Sequence, residues 1–363
     1  MNPCPVFKIL CINPGSTSTK YAYFENTTCL SSEDINHSHE SLLSFNRIAD
    51  QFAMRKKAIL DDIQKKGCCR LDQLDAVVGR GGLLKPIAAG TYRVEEKLLT
   101  DLRSGTLEDH ASNLGGLIAA DIAAPFGLPA FIVDPPVVNE ADDISLITGV
   151  KEIRRRVISH ALSQRSAAKR YAEEVGKPYE TLNLIVAHLG GGISIGAHRQ
   201  GRYADVNNAL DGEGPMSPER SGTLPAGQLI DLCFSGKYTH QELKRLNRGK
   251  GGLLSLLGTS DFREVEKRVL DGDPEAIRIT EAMAYQIAKS ISALLPAFHG
   301  QPADRIIITG GLSRSPILMN PIRRFLAAFP SGMTLYPDTS EMQALASAAW
   351  RVLSGHDKAK KYA

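Results

Sequence analysis

The sequence predicts an α/β protein of two domains, and three observations support that prediction. The chain has 363 residues, which corresponds to about two domains at roughly 150 residues each. Apolar runs typical of strands alternate with stretches of helical periodicity, the pattern of an α/β fold. The order of a polar hairpin, helices and a strand ending in Gly-Gly occurs twice, which indicates either a duplicated architecture or a chance similarity of two short motifs.

The first predicted domain covers residues 1–150. It begins with strands at 6–12 and 21–24, which flank a polar turn. The run DAVVGRGG at 75–82 is typical of a buried strand that ends in Gly-Gly. A Pro-rich segment at 134–136 and a basic run at 151–156 follow, so we expect the boundary between the domains near residue 150.

The second predicted domain covers residues 151–340, with strands at 182–188, 193–197 and 201–206 and a strand ending in Gly-Gly at 305–311. Apolar spacing predicts helices over 159–175 and 281–295. Pro225 is expected to open another helix that turns Leu229, Ile230 and Cys233 inward. Ser340 caps a last helix, about 341–363, which we expect to pack back on the first domain.

The composition is that of an ordinary globular protein. Hydrophobic residues make up 43% and charged residues 23%, against averages of about 45–50% and about 25%. These values exclude a disordered, fibrous or membrane-spanning chain. The formal net charge of +3 is too small to predict binding to nucleic acid or to a membrane surface, so any anion should be bound by a few placed groups.

Six cysteines are scattered without a C-x-x-C pair, so the sequence favours neither a disulfide framework nor a zinc site. Lys8 interrupts the only apolar run near the N-terminus, which is therefore not typical of a signal peptide. We expect reduced thiols and a cytoplasmic location. The cysteines are Cys4, Cys11, Cys29, Cys68, Cys69 and Cys233.

Three turns rich in small residues are candidates for binding phosphate or nucleotide. Residues 13–20, NPGSTSTK, combine backbone N–H groups, hydroxyls and a lysine, as a phosphate nest does. Residues 188–192 contain three consecutive glycines, which let a ligand approach the backbone closely. Residues 308–316, ITGGLSRSP, could let the base or ribose of a nucleotide lie across their backbone. An exposed hairpin, a tight strand connection and an ordinary strand exit are the respective alternatives, and neither a Walker A loop nor a G-x-G-x-x-G motif occurs.

Charged and ionisable side chains also stand at loops and at the ends of predicted elements. Arg80 and Arg220 lie in glycine-containing loops, where an arginine can bind a carboxylate or a phosphate. Asp134 ends an apolar strand, where a carboxylate can reach Mg²⁺, while Glu341 and His160 open helices. Surface ion pairs, helix-dipole interaction and a structural histidine are the alternatives. Together with the turns, this set fits phosphoryl transfer, which requires positioning and positive charge but no covalent nucleophile.

Motifs along nearly the whole chain resemble the acetokinase family of acetate and butyrate kinases, in the superfamily of sugar kinases, heat-shock chaperones and actin. GRGG and HASNLGG are more similar to the butyrate kinases of the family than to its acetate kinases. The main motifs, in family order, are VFKILCINPGSTSTK at 6–20, VVGRGGLLKPIAAGTY at 77–92, FIVDPPVVNE at 131–140, LNLIVAHLGGGISIG at 182–196 and RIIITGGLSRS at 305–315.

The resemblance implies two ribonuclease H-like domains, as in actin-like ATPases, with a nucleotide-binding cleft between them. It implies ATP and Mg²⁺ as cofactors and a short-chain carboxylic acid as substrate, with the reaction ATP + butyrate = ADP + butyryl phosphate by direct in-line transfer. It also implies a homo-oligomer. A propionate, branched-chain acid or acetate kinase is the alternative within this chemistry. An actin-like or heat-shock-like ATP-dependent chaperone or filament protein is the alternative from a different class.

The resemblance also implies roles for individual residues. Arg220, His160, Asp134 and Arg80 are implied as catalytic residues, and Glu341 and Asp134 as residues that place Mg²⁺. The residues implied in binding the nucleotide are Asn13, Ser16, Ser18, Lys20, His188, Gly190, Gly191, Gly192, Gly310 and Gly311.

Two positions depart from the family pattern. Gln164 stands where acetate kinases carry the second histidine of an F-H-G-T-S-H segment, so the role of that histidine is not carried over. Arg80 aligns, through the Gly-Gly that follows it, with a histidine of acetate kinases, whose substrate-binding arginine lies slightly earlier. We nevertheless expect Arg80 to reach the substrate carboxylate.

Overall fold

The computed structural model describes residues 5–105, 109–338 and 340–363, so Cys4 lies outside the described residues. The chain divides into two compact units: unit 1 is Met1–Val138 with Ser340–Ala363, and unit 2 is Asn139–Thr339. This division falls before residue 150, the boundary that the sequence suggests. Unit 1 is therefore discontinuous along the chain, because unit 2 is inserted between its two segments.

The strands are short, and most of them carry the apolar runs expected of a half-buried or buried sheet. Numbered along the chain, they are β1 Lys8–Pro14, β2 Ser18–Glu25, β3 Thr28–Asn36, β4 Ala76–Arg80, β5 Thr91–Arg93, β6 Ala130–Val133, β7 Asn183–Leu189, β8 Ile193–Arg199, β9 Arg202–Val206, β10 Arg305–Thr309 and β11 Met333–Tyr336.

The α-helices lie between the strands, in the alternation that the sequence predicts. They are α1 His39–Leu43, α2 Phe52–Lys66, α3 Glu96–Ser104, α4 Asn113–Ala123, α5 Asp143–Leu146, α6 Ala161–Glu174, α7 Ala226–Phe234, α8 His240–Asn247, α9 Gly252–Leu257, α10 Phe262–Leu270, α11 Pro274–Ser292, α12 Pro316–Phe325 and α13 Glu341–Leu353.

The two sheets repeat one topology, which confirms the duplicated order expected from the sequence. The strand order is β3-β2-β1-β4-β6-β5 in unit 1 and β11-β10-β7-β8-β9 in unit 2. In each sheet a central strand, β1 or β7, pairs antiparallel with the next strand of its hairpin. The same strand pairs parallel with a later one, β4 or β10, that runs into Gly-Gly. Strands β6 and β11 then take equivalent parallel places.

Glycines let α4 pack directly on β4 in unit 1. A Cβ at Gly79 would overlap the backbone carbonyl of Gly115, so the helix could not approach the sheet this closely with larger residues at either position. Helix α13 packs against β1 and β4 of the same unit. This arrangement brings the start of α13 to the carboxyl ends of two parallel strands.

The core of unit 2 lies between its sheet and helices α11 and α12. Ile185, Ile306, Ile287 and Leu318 are among the fully buried side chains of this core. Helix α11 begins at Pro274, earlier than the helix expected over 281–295, because Asp273 accepts hydrogen bonds from the first backbone N–H groups and caps it.

Helix α7 follows Pro225 as predicted, but the expected inward placement of its apolar side chains is wrong. Leu229, Ile230 and Cys233 are exposed, and Phe234 is 87% exposed. No residue of α7 is buried. The apolar spacing of this helix therefore reflects a surface that is left uncovered in the single chain, rather than a contact with the core.

Within the ranges that the structure describes, no helix combines the length and the apolar character that a crossing of the bilayer requires.

Candidate active site

The first predicted phosphate turn lies between β1 and β2 and is shorter than the polar segment of the sequence. The strands extend to Pro14 and from Ser18, so only three residues connect them. The N–H of Gly15 donates to the carbonyl of Ser18 at 2.8 Å and closes the turn. Ser16 and Thr17 at its tip are exposed.

Asn13 and Lys20 are cross-strand partners in this hairpin, but their side chains make different contacts. Lys20 is exposed, and its Nζ lies 3.4 Å from a carboxylate oxygen of Asp34 on β3. Asn13 is buried, and its Nδ2 donates to Oε2 of Glu341 at 2.7 Å. The structure therefore joins Asn13 to the start of α13 and pairs Lys20 with the neighbouring strand.

Arg80 joins the same cluster at the end of β4. Its Nη1 lies 3.1 Å from Oε2 of Glu341 and 3.4 Å from Oδ1 of Asn13. Strands β1 and β4 are parallel neighbours, so their carboxyl ends meet at one edge of the sheet, the place where α/β folds bind ligands. Three residues that lie far apart in the sequence thus form one hydrogen-bonded group in unit 1.

Asp134 follows β6 at the same edge of the sheet. It is 7% exposed, and its Oδ1 accepts the N–H of Gly90 at 2.7 Å. Its φ angle is +36°, in the left-handed region that non-glycine residues rarely adopt. Strained backbone of this kind costs about 1–3 kcal/mol and is concentrated at functional sites. The conformation supports a role for this carboxylate beyond the packing of the strand end.

The carboxylates of Asp134 and Glu341 fit a magnesium ion only when other ligands complete its coordination. Across residues 5–105, 109–338 and 340–363, no group of three or more His, Cys, Asp or Glu side chains could hold a metal. Magnesium commonly takes one or two protein carboxylates and completes its shell with water and substrate phosphates. The donor set therefore fits an ion that arrives with a nucleotide.

His160 and His188 are brought together in unit 2. Their rings stack with centroids 4.2 Å apart and an angle of 20° between the planes. His160 stands at the start of α6, and its backbone N–H donates to Oγ of Ser194 at 3.2 Å. Its Nδ1 lies 2.9 Å from the same hydroxyl oxygen. Ser194 on β8 thus fixes the ring of His160.

Gln164 connects this pair to a buried chain of polar groups. Its Nε2 donates to the carbonyl oxygen of Ser194 at 3.0 Å and to its Oγ at 2.7 Å. Its Oε1 lies 3.2 Å from Nε2 of His198, whose Nδ1 lies 2.7 Å from the hydroxyl of Tyr179. Complete burial, with a smaller effect of the positive Arg165, holds the pKa of His198 well below its usual value.

The directions of these bonds determine the tautomer of His160. The Oγ of Ser194 already accepts from Gln164 and from the backbone N–H of His160, which uses both of its lone pairs. Its own proton is therefore donated to Nδ1 of His160, and a neutral His160 carries its proton on Nε2. The neutral His198 likewise accepts from Tyr179 and donates to Gln164. The network presents an Nε2–H group of His160 as a hydrogen-bond donor.

The glycine turn after β7 is shaped around Arg220. A Cβ at Gly192 would overlap Nη1 of Arg220, so only glycine permits this contact. Nη1 of Arg220 also donates to the carbonyl of Ala209. The hydroxyl of Ser217 donates to the carbonyl of Gly191 at 2.7 Å, and the N–H of Gly190 donates to the carbonyl of Gly192 at 3.2 Å. The second predicted phosphate turn and the predicted catalytic arginine therefore form one assembly.

The turn after β7 and the turn after β10 share a cavity of about 620 Å³. A side chain at Gly310 would collide with the backbone of Leu189, and its φ is +91°, whereas Gly311 has open space where a side chain would stand. The volume lies in the range of small-molecule sites. The walls combine an aromatic ring and charged groups with the glycine backbones, and include Gly190, Gly191, Gly311, Phe262, Arg263 and Glu266.

Several of these residues were not found from the sequence. Ser194 and His198 are polar residues on β8, and each lies two positions from Gly196. They stand inside a run that otherwise predicts a buried strand. That period of two was the available signal, because inward polar groups in a buried strand require partners. Phe262, Arg263 and Glu266 give no such signal, because a charged amphipathic helix is typical of any protein surface.

Comparisons with known proteins agree with this geometry. The acetokinase family model matches residues 146–344. A protein named Butyrate kinase 2, from Clostridium acetobutylicum, is 50% identical over 356 residues, which are 98% of this chain and 99% of that protein.

Solved structures show the same fold at low sequence identity. An acetate kinase from Porphyromonas gingivalis superposes with a TM-score of 0.78 at 20% identity, covering 96% of this chain and 100% of that chain. A propionate kinase from Francisella tularensis superposes with a TM-score of 0.74 at 19% identity, covering 94% and 98%. These likenesses confirm the predicted α/β fold of two domains, which the chain shares with these acetate and propionate kinases.

The assignment to a family rests on sequence similarity and not on the fold alone. The half-identical relative is matched over nearly its whole length, and the family model covers more than half of the chain. The chain therefore belongs to the acetokinase family, which confirms the prediction made from its motifs.

Proposed function

We propose that the chain is a short-chain fatty acid kinase that catalyses ATP + butyrate = ADP + butyryl phosphate. The observation that carries this proposal is the 50% identity, over 98% of the chain, to a protein named Butyrate kinase 2. Membership of the acetokinase family gives the reaction class, phosphoryl transfer from ATP to a carboxyl group. Butyrate is the finer assignment, and the experiments below test it.

The nucleotide is proposed to bind through the glycine turns. The cavity lined by Gly190, Gly191 and Gly311 has the size and the mixed walls for a nucleoside, which supports this placement. The Ser16 and Thr17 turn of unit 1 is proposed to contact phosphate oxygens through backbone N–H groups and hydroxyls.

The acid is proposed to bind at Arg80. Its guanidinium stands at the carboxyl edge of the sheet, beside Asn13 and Glu341. An arginine can hold a carboxylate through two N–H groups, which orients it as a nucleophile. One carboxylate oxygen then attacks the γ-phosphorus in line, the bond from phosphorus to the ADP oxygen breaks, and ADP leaves with that electron pair.

Positive charge and donors around the moving phosphoryl group are proposed to come from Arg220 and His160. The Nε2–H of His160, directed by Ser194, is suited to donate to a phosphoryl oxygen as charge develops. Arg220 is held beside the glycine turn by the carbonyl of Ala209. Magnesium, when bound with the nucleotide by Asp134 and Glu341, would supply further positive charge to the phosphates.

The proposal is tested by trapping the product. Purified protein with ATP, Mg²⁺, butyrate and hydroxylamine should yield butyryl hydroxamate. Arg220→Ala should reduce the rate about 10²–10³-fold, as expected for the loss of a group that stabilises transition-state charge. Arg245→Ala is the matched control, because Arg245 is an exposed arginine in the last turn of α8. A rate of ATP turnover that no carboxylic acid changes, and that peptide or assembly increases, would instead favour a chaperone or filament protein.

A second acid specificity deserves direct comparison, because a structure with the same fold is named a propionate kinase. The kcat/KM values for butyrate, propionate, isobutyrate and acetate should be measured side by side. One methylene in an apolar pocket changes discrimination by only about 10–200-fold, so activity on neighbouring acids is expected. A higher kcat/KM for propionate or acetate than for butyrate would overturn the assignment of butyrate.

A homo-oligomer and a cytoplasmic location stay predictions. The exposed apolar side chains of α7, Leu229, Ile230 and Phe234, support the homo-oligomer, because such a surface is typical of a protein interface. The scattered cysteines of the sequence support the location.

A further inference from the structure

Arg55 on α2 is the largest fully buried side chain of the described residues, with no exposed surface. An arginine is rarely buried without an acidic partner, because removing its charge from water is costly. Its recorded partners are nevertheless all neutral. Gln51 accepts from its Nε at 3.0 Å and from its Nη2 at 2.9 Å, and the hydroxyl of Thr19 lies 3.0 Å from its Nη1.

The other hydrogen bonds of Arg55 all go to the first phosphate turn. Its Nη1 donates to the carbonyl oxygen of Gly15 at 2.8 Å and to that of Ser18 at 2.9 Å. Its Nη2 donates to the carbonyl oxygen of Ser16 at 3.0 Å. The planar guanidinium thus binds three of the four carbonyl groups of residues 15–18 from inside unit 1.

The fourth carbonyl of the turn is bound from the same unit. The backbone N–H of His37 donates to the carbonyl of Thr17 at 2.9 Å. In the part of the chain that the structure describes, the backbone N–H groups of Ser16 and Thr17 have no hydrogen-bond partner, and both residues are exposed. The turn therefore has all its carbonyls satisfied by the protein and leaves the N–H groups of Ser16 and Thr17 available to a ligand, as an anion-binding nest does.

We propose that Arg55 is a positioning residue for the nucleotide phosphates. It holds the carbonyls of the turn, so that the N–H groups of Ser16 and Thr17 remain available to an anion, and it places a positive charge behind them. This inference rests on the proposed function, which supplies the nucleotide. An anion at the turn would supply a negative charge, which none of the described hydrogen-bond partners of Arg55 carries. The charge also reaches His37, whose pKa is lowered by burial and, to a smaller extent, by Arg55.

Substitution of Arg55 should separate the binding of ATP from that of the acid. Arg55→Met should raise the KM for ATP about 10–100-fold, as expected for the loss of hydrogen bonds that involve a charged donor. The KM for butyrate should change much less. Arg55→Lys should recover part of the loss, because it restores the charge and some of the donors. Unchanged KM values for ATP in both variants, with only a lower Tm, would overturn the proposal.

Tyr21→Phe is the matched control. The hydroxyl of Tyr21 on β2 donates to Asp62 on α2 at 2.7 Å, so this variant also removes a bond between the same strand and the same helix. It leaves the turn untouched. A rise in the KM for ATP as large as that of Arg55→Met would show that any loosening of α2 has this effect, and would overturn the proposal.

A second measurement needs neither a variant nor the acid. Hydrogen–deuterium exchange of the wild-type protein should slow across residues 13–20 when ADP and Mg²⁺ are added. Unchanged exchange there, with nucleotide bound by calorimetry, would overturn the proposal. This result is distinct from failure of the proposed function, which would appear as wild-type protein that forms no butyryl hydroxamate.

Discussion

Arg80 and Glu341 form an ion pair, with 3.1 Å between Nη1 and Oε2, although one ends a strand of the first chain segment and the other opens α13. Arg80 is proposed to bind the acid, and Glu341 is proposed to help bind magnesium. Because they are paired, each neutralises part of the charge of the other. A carboxylate that binds Arg80 must compete with Glu341.

Removal of the Arg80 side chain should therefore mainly weaken the binding of the acid. We expect Arg80→Ala to raise the KM for butyrate about 10–100-fold, since a charge-assisted pair is lost, while the KM for ATP changes less. Steady-state kinetics with each substrate varied in turn measures this difference. Arg93→Ala, at an exposed arginine on β5 of the same unit, is the control and should leave both constants near the wild-type values. Equal effects on the two KM values would contradict the role assigned to Arg80.

Gly192 should be replaceable only at the expense of Arg220. A Cβ at Gly192 overlaps Nη1 of Arg220, so Gly192→Ala must displace the guanidinium. We expect kcat to fall about 10²-fold, and the same substitution in an Arg220→Ala background to add little, because the two changes remove one interaction. Gly227→Ala is the control, since open space surrounds that position. Independent, multiplicative losses in the double variant would refute the shared cause.

The buried His198 should make stability depend on pH. Burial keeps its folded-state pKa well below the usual value of 6.5, so the unfolded chain takes up a proton that the folded chain does not. The free energy of unfolding should therefore fall as the pH drops below about 6.5, by up to about 1.4 kcal/mol per pH unit from this group.

Urea unfolding at pH 7.5 and 5.5 measures this contribution. His198→Gln keeps a donor toward Gln164 but removes the titrating ring, so its loss of stability between the two pH values should be smaller than that of the wild type by about 1 kcal/mol. His240→Gln, at an exposed histidine that opens α8, should keep the wild-type difference. Parallel pH dependence in His198→Gln and the wild type would exclude His198 as the source.

The apolar surface of α7 should hold a second copy of the chain. Phe234 is 87% exposed, so a lysine there costs the folded chain little but would place a charge in an interface. We expect light scattering to give the mass of at least a dimer for the wild type and a smaller assembly for Phe234→Lys. Leu270→Lys introduces the same charge at another exposed apolar residue and should not change the mass. A wild-type monomer would contradict the prediction.

The large-scale architecture could be predicted from the sequence because it depends on local patterns. Two polar hairpins and two strands that run into Gly-Gly indicated duplicated sheets, with chance similarity as the alternative, and the strand order confirms the duplication. Strand β3 was missed, since its exposed sequence TCLSSEDIN lacks an apolar run. The prediction that the apolar side chains of α7 turn inward was wrong. Apolar periodicity indicates that one face of a helix is covered, but not whether the core or another molecule covers it.

The site could be predicted only where it follows motifs. The turns and charged residues stood out, whereas the contacts among them depend on residues brought together by the fold. Arg55 lies in a helix with many charged residues, where an arginine is typical of a solvated surface. Gln164 was visible only as a departure from the family pattern, and its bonds to Ser194 and His198 required the positions of β8 and α6.

The hydrogen bond between Asn13 and Glu341 joins residues separated by 328 positions. A ribosome therefore completes β1 and its hairpin long before it delivers the carboxylate that they bind. The intervening unit, Asn139–Thr339, takes roughly 10–40 s to synthesise at about 5–20 residues per second. During that interval the nascent chain exposes the apolar surface of β1 and β4 that α13 later covers, and it holds Arg80 without this counter-charge. Unit 1 can therefore be completed only after unit 2 has been translated.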